Sequence, residues 1–184
     1  MALPRDPATA QQAPFALNPL GPYSFRSAQP DDANQVGDLV DAAYTHHVAR
    51  IGMVPGPMTD DYHRVIRDAD VHVAERDANI VGILVLDVTD EGFVLENVAV
   101  HPTEWGKGLG TALLAHAEDE AKRAGFSSIY LYTHEKMTEN LTLYSKIGYV
   151  EYDRRSLGDF SRVFMRKQLE STGAPRTEWS QHPE

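Results

Sequence analysis

Residues 95–114 read Leu95-Glu96-Asn97-Val98-Ala99-Val100-His101-Pro102-Thr103-Glu104-Trp105-Gly106-Lys107-Gly108-Leu109-Gly110-Thr111-Ala112-Leu113-Leu114. A valine-rich strand pattern ends at His101-Pro102, and a turn punctuated by Gly106, Gly108 and Gly110 opens directly into a helical pattern. Glycines there remove the Cβ atoms that would hold a ligand away from the backbone. The unpaired N–H groups of the next helix's first turn converge on the same spot, with the positive end of the helix dipole behind them. Such a place binds pyrophosphate. The spacing is not that of a Walker loop. Nor is it the dinucleotide GxGxxG fingerprint, because the pattern is GxGxG and the expected βαβ unit near the N-terminus is missing. Taken alone, the turn reads equally well as a tight bend that needs positive φ.

Working outward, Leu109, Leu113, Ala117 and Ala121 lie on one stripe of a helix over Gly108–Ala124, with Glu118 and Lys122 spaced to pair and Gly125 at the C-cap. Upstream, Val71–Glu75, Ile80–Val88 and Gly92–Val100 read as an antiparallel meander with a turn at Asp77-Ala78-Asn79. Downstream come a strand over Ser128–Thr133, a helix over Thr138–Ile147 ending at Gly148, and closing strands over Tyr149–Arg154 and Arg162–Lys167. A helix between Gly92–Val100 and Ser128–Thr133 implies one parallel crossover. Nearer the start, Tyr23–Ser27 alternates as a strand and Pro30-Asp31-Asp32 signals a helix entry. Val36, Leu39, Val40 and Ala43 recur at helical spacing, Arg50–Met58 is a loop, and Thr59 caps a second helix with Asp60 and Asp61 in its first turn. The fold class is α/β with a mixed sheet.

The 184-residue length fits one domain with tails. Five of the 11 prolines fall in the first 22 residues, so residues 1–21 read as a flexible extension, 22–170 as the domain and 171–184 as a flexible tail. The N-terminal stretch lacks the apolar core of a secretory signal, and no run approaches the roughly 18 apolar residues of a membrane span. The absence of cysteine excludes disulfides, thiolate metal sites and a cysteine nucleophile, and it fits a cytoplasmic location. A net charge of −10 argues against nucleic acid as a partner and favours a cationic acceptor such as an amine. Histidine and carboxylate spacing suggests no metal, and a GxSxG elbow is lacking.

The order LENVAVHP-TEWGKGLG-TALL, then IYLYTHE, then NLTLYSKIGY, resembles the GNAT superfamily of N-acetyltransferases over about residues 23–168. The resemblance implies a mixed, mostly antiparallel sheet of about six to seven strands flanked by about four helices, with acetyl-CoA as co-substrate and no metal. It places the backbone of Val98 and Val100, on a bulged and splayed strand, against the pantetheine arm. The segment Trp105, Gly106, Lys107, Gly108, Leu109, Gly110 and Thr111 would hold the pyrophosphate. Trp105 stands where the family has Gln or Arg, and its ring would pack either on the cofactor or on the protein surface. Tyr144 matches the family's thiolate-protonating tyrosine. Asn140, one helical turn before it, is offered to the pantetheine amide, although the family's usual Asn aligns with Met137.

Acyl transfer requires a base for the ammonium and a donor for the thiolate. Glu96 is the leading base candidate, because an unpaired carboxylate within the apolar run Phe93–Val100 needs a polar cleft to face. The family's commoner Glu aligns with Val94. His134 and Glu135 are second candidates, and His46 and His47 are read as acceptor-pocket residues or as partners of a helix C-terminus. The expected reaction is transfer of an acetyl group to a primary amine of a small molecule or peptide by direct attack in a ternary complex. The alternatives are a regulatory module that binds acyl-CoA without turnover and an enzyme modifying a large partner. The oligomeric state, a homodimer included, is left open.

Overall fold

The computed structural model describes residues 22–157 and 160–170; the extension expected over 1–21 and the tail over 171–184 lie outside these residues. In chain order the elements are β1 (Ser24–Ser27), α1 (Ala33–Ile51), α2 (Tyr62–Asp68), β2 (Asp70–Arg76), β3 (Asn79–Thr89), β4 (Gly92–Val100), α3 (Leu109–Arg123), β5 (Ser128–His134), α4 (Thr138–Lys146), β6 (Val150–Leu157) and β7 (Phe160–Gln168). One seven-stranded sheet has the order β1-β2-β3-β4-β5-β7-β6. All neighbours are antiparallel except β4 and β5, which α3 joins by the expected crossover. Among the described residues no helix is long and apolar enough to cross a membrane.

The two faces carry separate cores. Leu109, Leu113, Leu114 and Ala117 of α3 pack with Tyr144 of α4 against Leu84, Leu86, Phe93 and Leu95. On the other face Val36, Leu39 and Val40 of α1 and Tyr62 of α2 meet Val71, Val73, Ile83 and Ala99. Each fully buried aliphatic here contributes about 1.5–3 kcal/mol. Gly82 on β3 sets how close α3 comes: a Cβ there would stand 3.0 Å from Leu113 Cδ1 and 3.3 Å from Leu109 Cδ2.

Several local expectations change. α1 runs on through Arg50 to Ile51, because Ile51 is buried, and stops where Gly52 turns left-handed at φ 84°. The cap of α2 is Asp61, whose side chain accepts from the His63 N–H; Thr59 instead donates its hydroxyl to Gly56 O. Glu118 does not pair with Lys122. It accepts from Lys167 Nζ at 2.7 Å, while Lys122 turns to Asp119. The β2–β3 hairpin turns on Asp77 (φ 51°) and Ala78 (φ 63°), the primed geometry that matches strand twist.

Two irregularities of β4 create the site. Asn97 pairs with Val85 and Leu95 with Leu86, so Glu96 is the extra residue of a β-bulge. The bulge resets the alternation: Leu95 and Val98 both pack on the α3 side, while Asn97 and Ala99 face α1 and α2. Pairing between β4 and β5 also ends at Leu95–Leu131, although β5 continues to His134 along β7. Beyond Leu95 the two parallel strands splay, and a cleft passes between them.

Candidate active site

Two cavities occupy this cleft and its mouths. One, of about 550 Å³, is lined by Val98 and Val100 of β4, the turn residues Trp105, Gly106 and Gly108, and Leu109 and Gly110 of α3. The other, of about 310 Å³, opens toward α2 and is lined by Asp60, Glu96, Asn97, Tyr132 and Arg162. Tyr44, Val98, Asn140 and Tyr144 line both, so the cavities meet at these side chains. Tyr44 belongs to one face of the sheet and Tyr144 to the other. The joined space therefore runs through the sheet at the splay.

The glycine turn is built for open backbone. Gly106 (φ 74°) and Gly108 (φ 86°) are left-handed, and Gly108 is the residue before the first turn of α3. Gly110 is helical, and a Cβ there would meet only Val100 Cγ2 at 3.9 Å. The fold does not demand glycine at 110. The bare Cα of Gly110 lines the cavity. The turn is anchored from beneath by Glu104, a buried carboxylate that accepts from Tyr23 Oη at 2.8 Å, Arg76 Nη1 at 3.0 Å and Lys107 Nζ at 3.2 Å. These partners, Tyr23 first, hold its pKa below the usual carboxylate range.

Of the residues expected to hold a cofactor, Lys107 and Thr111 do not line the cavity. Lys107 is turned to Glu104, and Thr111 is exposed on the outer side of α3. Trp105 lines this cavity; its Nε1 donates to Val100 O at 2.8 Å, and its ring meets the His46 ring edge-on at 4.9 Å. His46 and His47 line this cavity and not the one beyond Tyr144. Burial, with His46 and Arg50 adding to it, pulls the pKa of His47 down to about 4, so its imidazole is neutral at pH 7. Its buried Nδ1 has no hydrogen-bond partner among the described residues.

At the junction, burial pushes the Tyr144 phenol well above its ordinary pKa, which keeps it protonated. Asn140 stands beside it, with Nδ2 3.5 Å from Met137 Sδ. In the second cavity Glu96 is exposed to the cavity solvent, yet flanking protein still raises its pKa, with Asp87 and Asp60 reinforcing the shift and Arg162 opposing it. His134 also lines this cavity, its Nδ1 accepting from the Lys136 N–H, and burial lowers its pKa. Glu135 lies elsewhere, paired with Arg154 at 3.3 Å.

Sequence reading missed a polar rail along the same wall. Tyr44 Oη donates to Asn97 Oδ1 at 2.7 Å, Asn97 Nδ2 donates to Tyr62 Oη at 3.1 Å, and Tyr62 Oη donates to Pro57 O at 3.0 Å. Asp60 was missed as well; burial raises its carboxyl pKa, and it lines the cavity with Glu96. The one signal that could have revealed Asn97 is a polar side chain in an otherwise apolar strand, the argument that singled out Glu96.

Comparison with known proteins agrees with this geometry. The model of the acetyltransferase (GNAT) family matches residues 38–149. A relative from Azospirillum brasilense, an IAA acetyltransferase, is 33% identical over 103 residues, 53% of this chain; the match spans just under two thirds of that relative, 66%. Among solved structures, the PaiA N-acetyltransferase of Thermoplasma acidophilum, crystallised with coenzyme A, superposes with a TM-score of 0.67 at 19% identity over 79% of this chain and 98% of that one. The ribosomal-protein-S18-alanine N-acetyltransferase of Escherichia coli gives 0.62 at 18% identity, over 82% and 96%. With its glycine turn, bulged and splayed β4 and crossover helix, the chain belongs to the acetyltransferase (GNAT) family.

Proposed function

We propose that this protein transfers the acetyl group of acetyl-CoA to a primary amine of a small molecule or peptide, by direct attack within a ternary complex. The observation that carries the reading is the meeting of two cavities at Tyr144, with a glycine-turn helix start lining one and Glu96 lining the other. The amides of the Gly106–Thr111 turn receive the pyrophosphate, and the pantetheine arm runs along Val98 and Val100. The thioester then stands at the Tyr144–Asn140 junction, where a β4 N–H near Val98, beyond the end of β5 pairing, polarises its carbonyl.

The acceptor enters from the Glu96 side as an ammonium. Glu96 removes a proton through water, its raised pKa making it a stronger base than a free carboxylate. The freed nitrogen attacks the thioester carbon. The C–N bond forms, the C–S bond breaks, the departing thiolate takes the phenolic proton of Tyr144, and the proton that the new amide nitrogen sheds returns through water to the tyrosinate. The carboxyls of Asp60 and Glu96 favour a cationic acceptor, and Tyr44, Tyr62 and Tyr132 supply ring surface for its carbon skeleton.

A thiol-release assay with acetyl-CoA and a panel of small amines and short peptides tests this. Amine-dependent CoA release is expected. CoA binding with no release for any acceptor would contradict the reading.

A further inference from the structure

A second cluster of ligand-type side chains lies away from the cleft, where α3 crosses the edge of the sheet. His72 of β2 and His116 of α3 face each other with Nδ1 and Nε2 3.1 Å apart. Glu120, one turn further along α3, brings Oε1 to 3.5 Å from the same His116 Nε2. One ligand atom from each of the three lies within 4.8 Å of the others. The side chains are largely sheltered, at 11%, 16% and 18% exposure for His72, His116 and Glu120.

These separations have a chemical meaning. Zinc bonds of about 2.1 Å in a tetrahedron put ligand atoms about 3.4 Å apart, and the two shortest edges here bracket that value. Two imidazole nitrogens and one carboxylate form a donor set that zinc uses with a fourth, open position. A carboxylate also stands near the far nitrogen of His72. His72 Nε2 is buried without a hydrogen bond, and Asp70 Oδ1 lies 3.1 Å away at an angle too poor to make one. With Nδ1 on a metal, Nε2 carries the proton, and Asp70 Oδ1 is near enough to accept it after a small rotation of either side chain, the kind of partner that fixes metal-bound histidines. The same Glu120 Oε1 also pairs with Arg123, an exposed side chain that a metal would have to displace. Chain spacing hides the site, because His116 and Glu120 are four apart while His72 lies 44 residues earlier.

We propose that His72, His116 and Glu120 form a binding site for a divalent transition metal, best suited to zinc, that fastens α3 to β2. The site is separate from the acetyl-transfer cleft and does not depend on that reading. It stiffens the helix whose first turn carries the glycine segment. The ordinary alternative is a hydrogen-bonded imidazole pair capped by Glu120.

The test is titration of the chelator-stripped full chain with Co²⁺. One equivalent is expected to bind and develop the intense visible bands of a four-coordinate ion, which Zn²⁺ then bleaches. Zn²⁺ alone should raise Tm until one equivalent is reached. In His116→Gln, and separately in Glu120→Gln, both shown folded by circular dichroism, binding should weaken at least tenfold and the Zn²⁺-dependent rise in Tm should vanish. A wild-type chain that leaves Co²⁺ in its six-coordinate aquo spectrum overturns the proposal. So does binding that persists unchanged in both variants, since the metal would then sit on other histidines.

Discussion

At the scale of single residues, the proposed mechanism divides the proton work between Tyr144 and Glu96, and each makes a distinct prediction. Tyr144→Phe removes the donor while leaving the ring that fills the α3-side core. CoA affinity by calorimetry is expected to hold while kcat falls about 10²–10⁴-fold, the range of a positioned acid; an unchanged kcat would remove Tyr144 from the chemistry. Glu96 has a raised pKa, so the folded protein holds its proton more tightly than the unfolded chain does. Stability is therefore lost as pH rises through the folded value, and Glu96→Gln should raise Tm at pH 7 while lowering kcat/KM. The acidic limb of the kcat/KM profile should sit above the ordinary carboxylate value of about 4.3 and flatten in the variant. A variant that loses both stability and activity would point to a structural role.

At the scale of elements, the β2–β3 turn holds a testable strain. Ala78 sits at φ 63° in the left-handed region. A non-glycine residue in this region costs about 1–2 kcal/mol, so Ala78→Gly should stabilise the fold by about 1 kcal/mol, or about 2–4 °C in Tm for a chain of this size. The reverse holds at the glycine turn before α3. Gly108→Ala, at φ 86°, should destabilise by about 1–2 kcal/mol and weaken CoA binding measured by calorimetry.

What the chain displayed in advance was local. The glycine turn, the α3 stripe and Tyr144 in LYSKIGY are set by neighbours a few residues away, and each lies where the pattern put it. What stayed hidden depends on partners distant in sequence. The bulge at Glu96 exists only in register with Val85 and Leu86 of β3. Glu118 leaves Lys122 for Lys167 because β7 approaches α3. Tyr44, Asp60, Tyr62 and Asn97 come from separate elements, and only the folded wall brings them together.

At the scale of the whole molecule, the site is a passage through the sheet, and its parts depend on contacts that tie the turn to the rest of the chain. Glu104 joins the turn to Tyr23 before β1 and to Arg76 of the β2–β3 hairpin. Its pKa is depressed, so this tie is complete above the ordinary carboxylate range and is lost as pH falls through the folded value. CoA affinity should fall on acidification more steeply in the wild type than in Glu104→Gln, which should bind weakly at every pH.

The central claim is that the donor lies through the β4–β5 splay with its sulfur at Tyr144. A crystal structure with CoA tests this most directly. The account predicts pyrophosphate oxygens on the amides of the Gly106–Thr111 segment and the thiol within hydrogen-bond reach of Tyr144 Oη, on the side open to Glu96. Density for CoA outside the splay, or a thiol directed away from Tyr144, would contradict it.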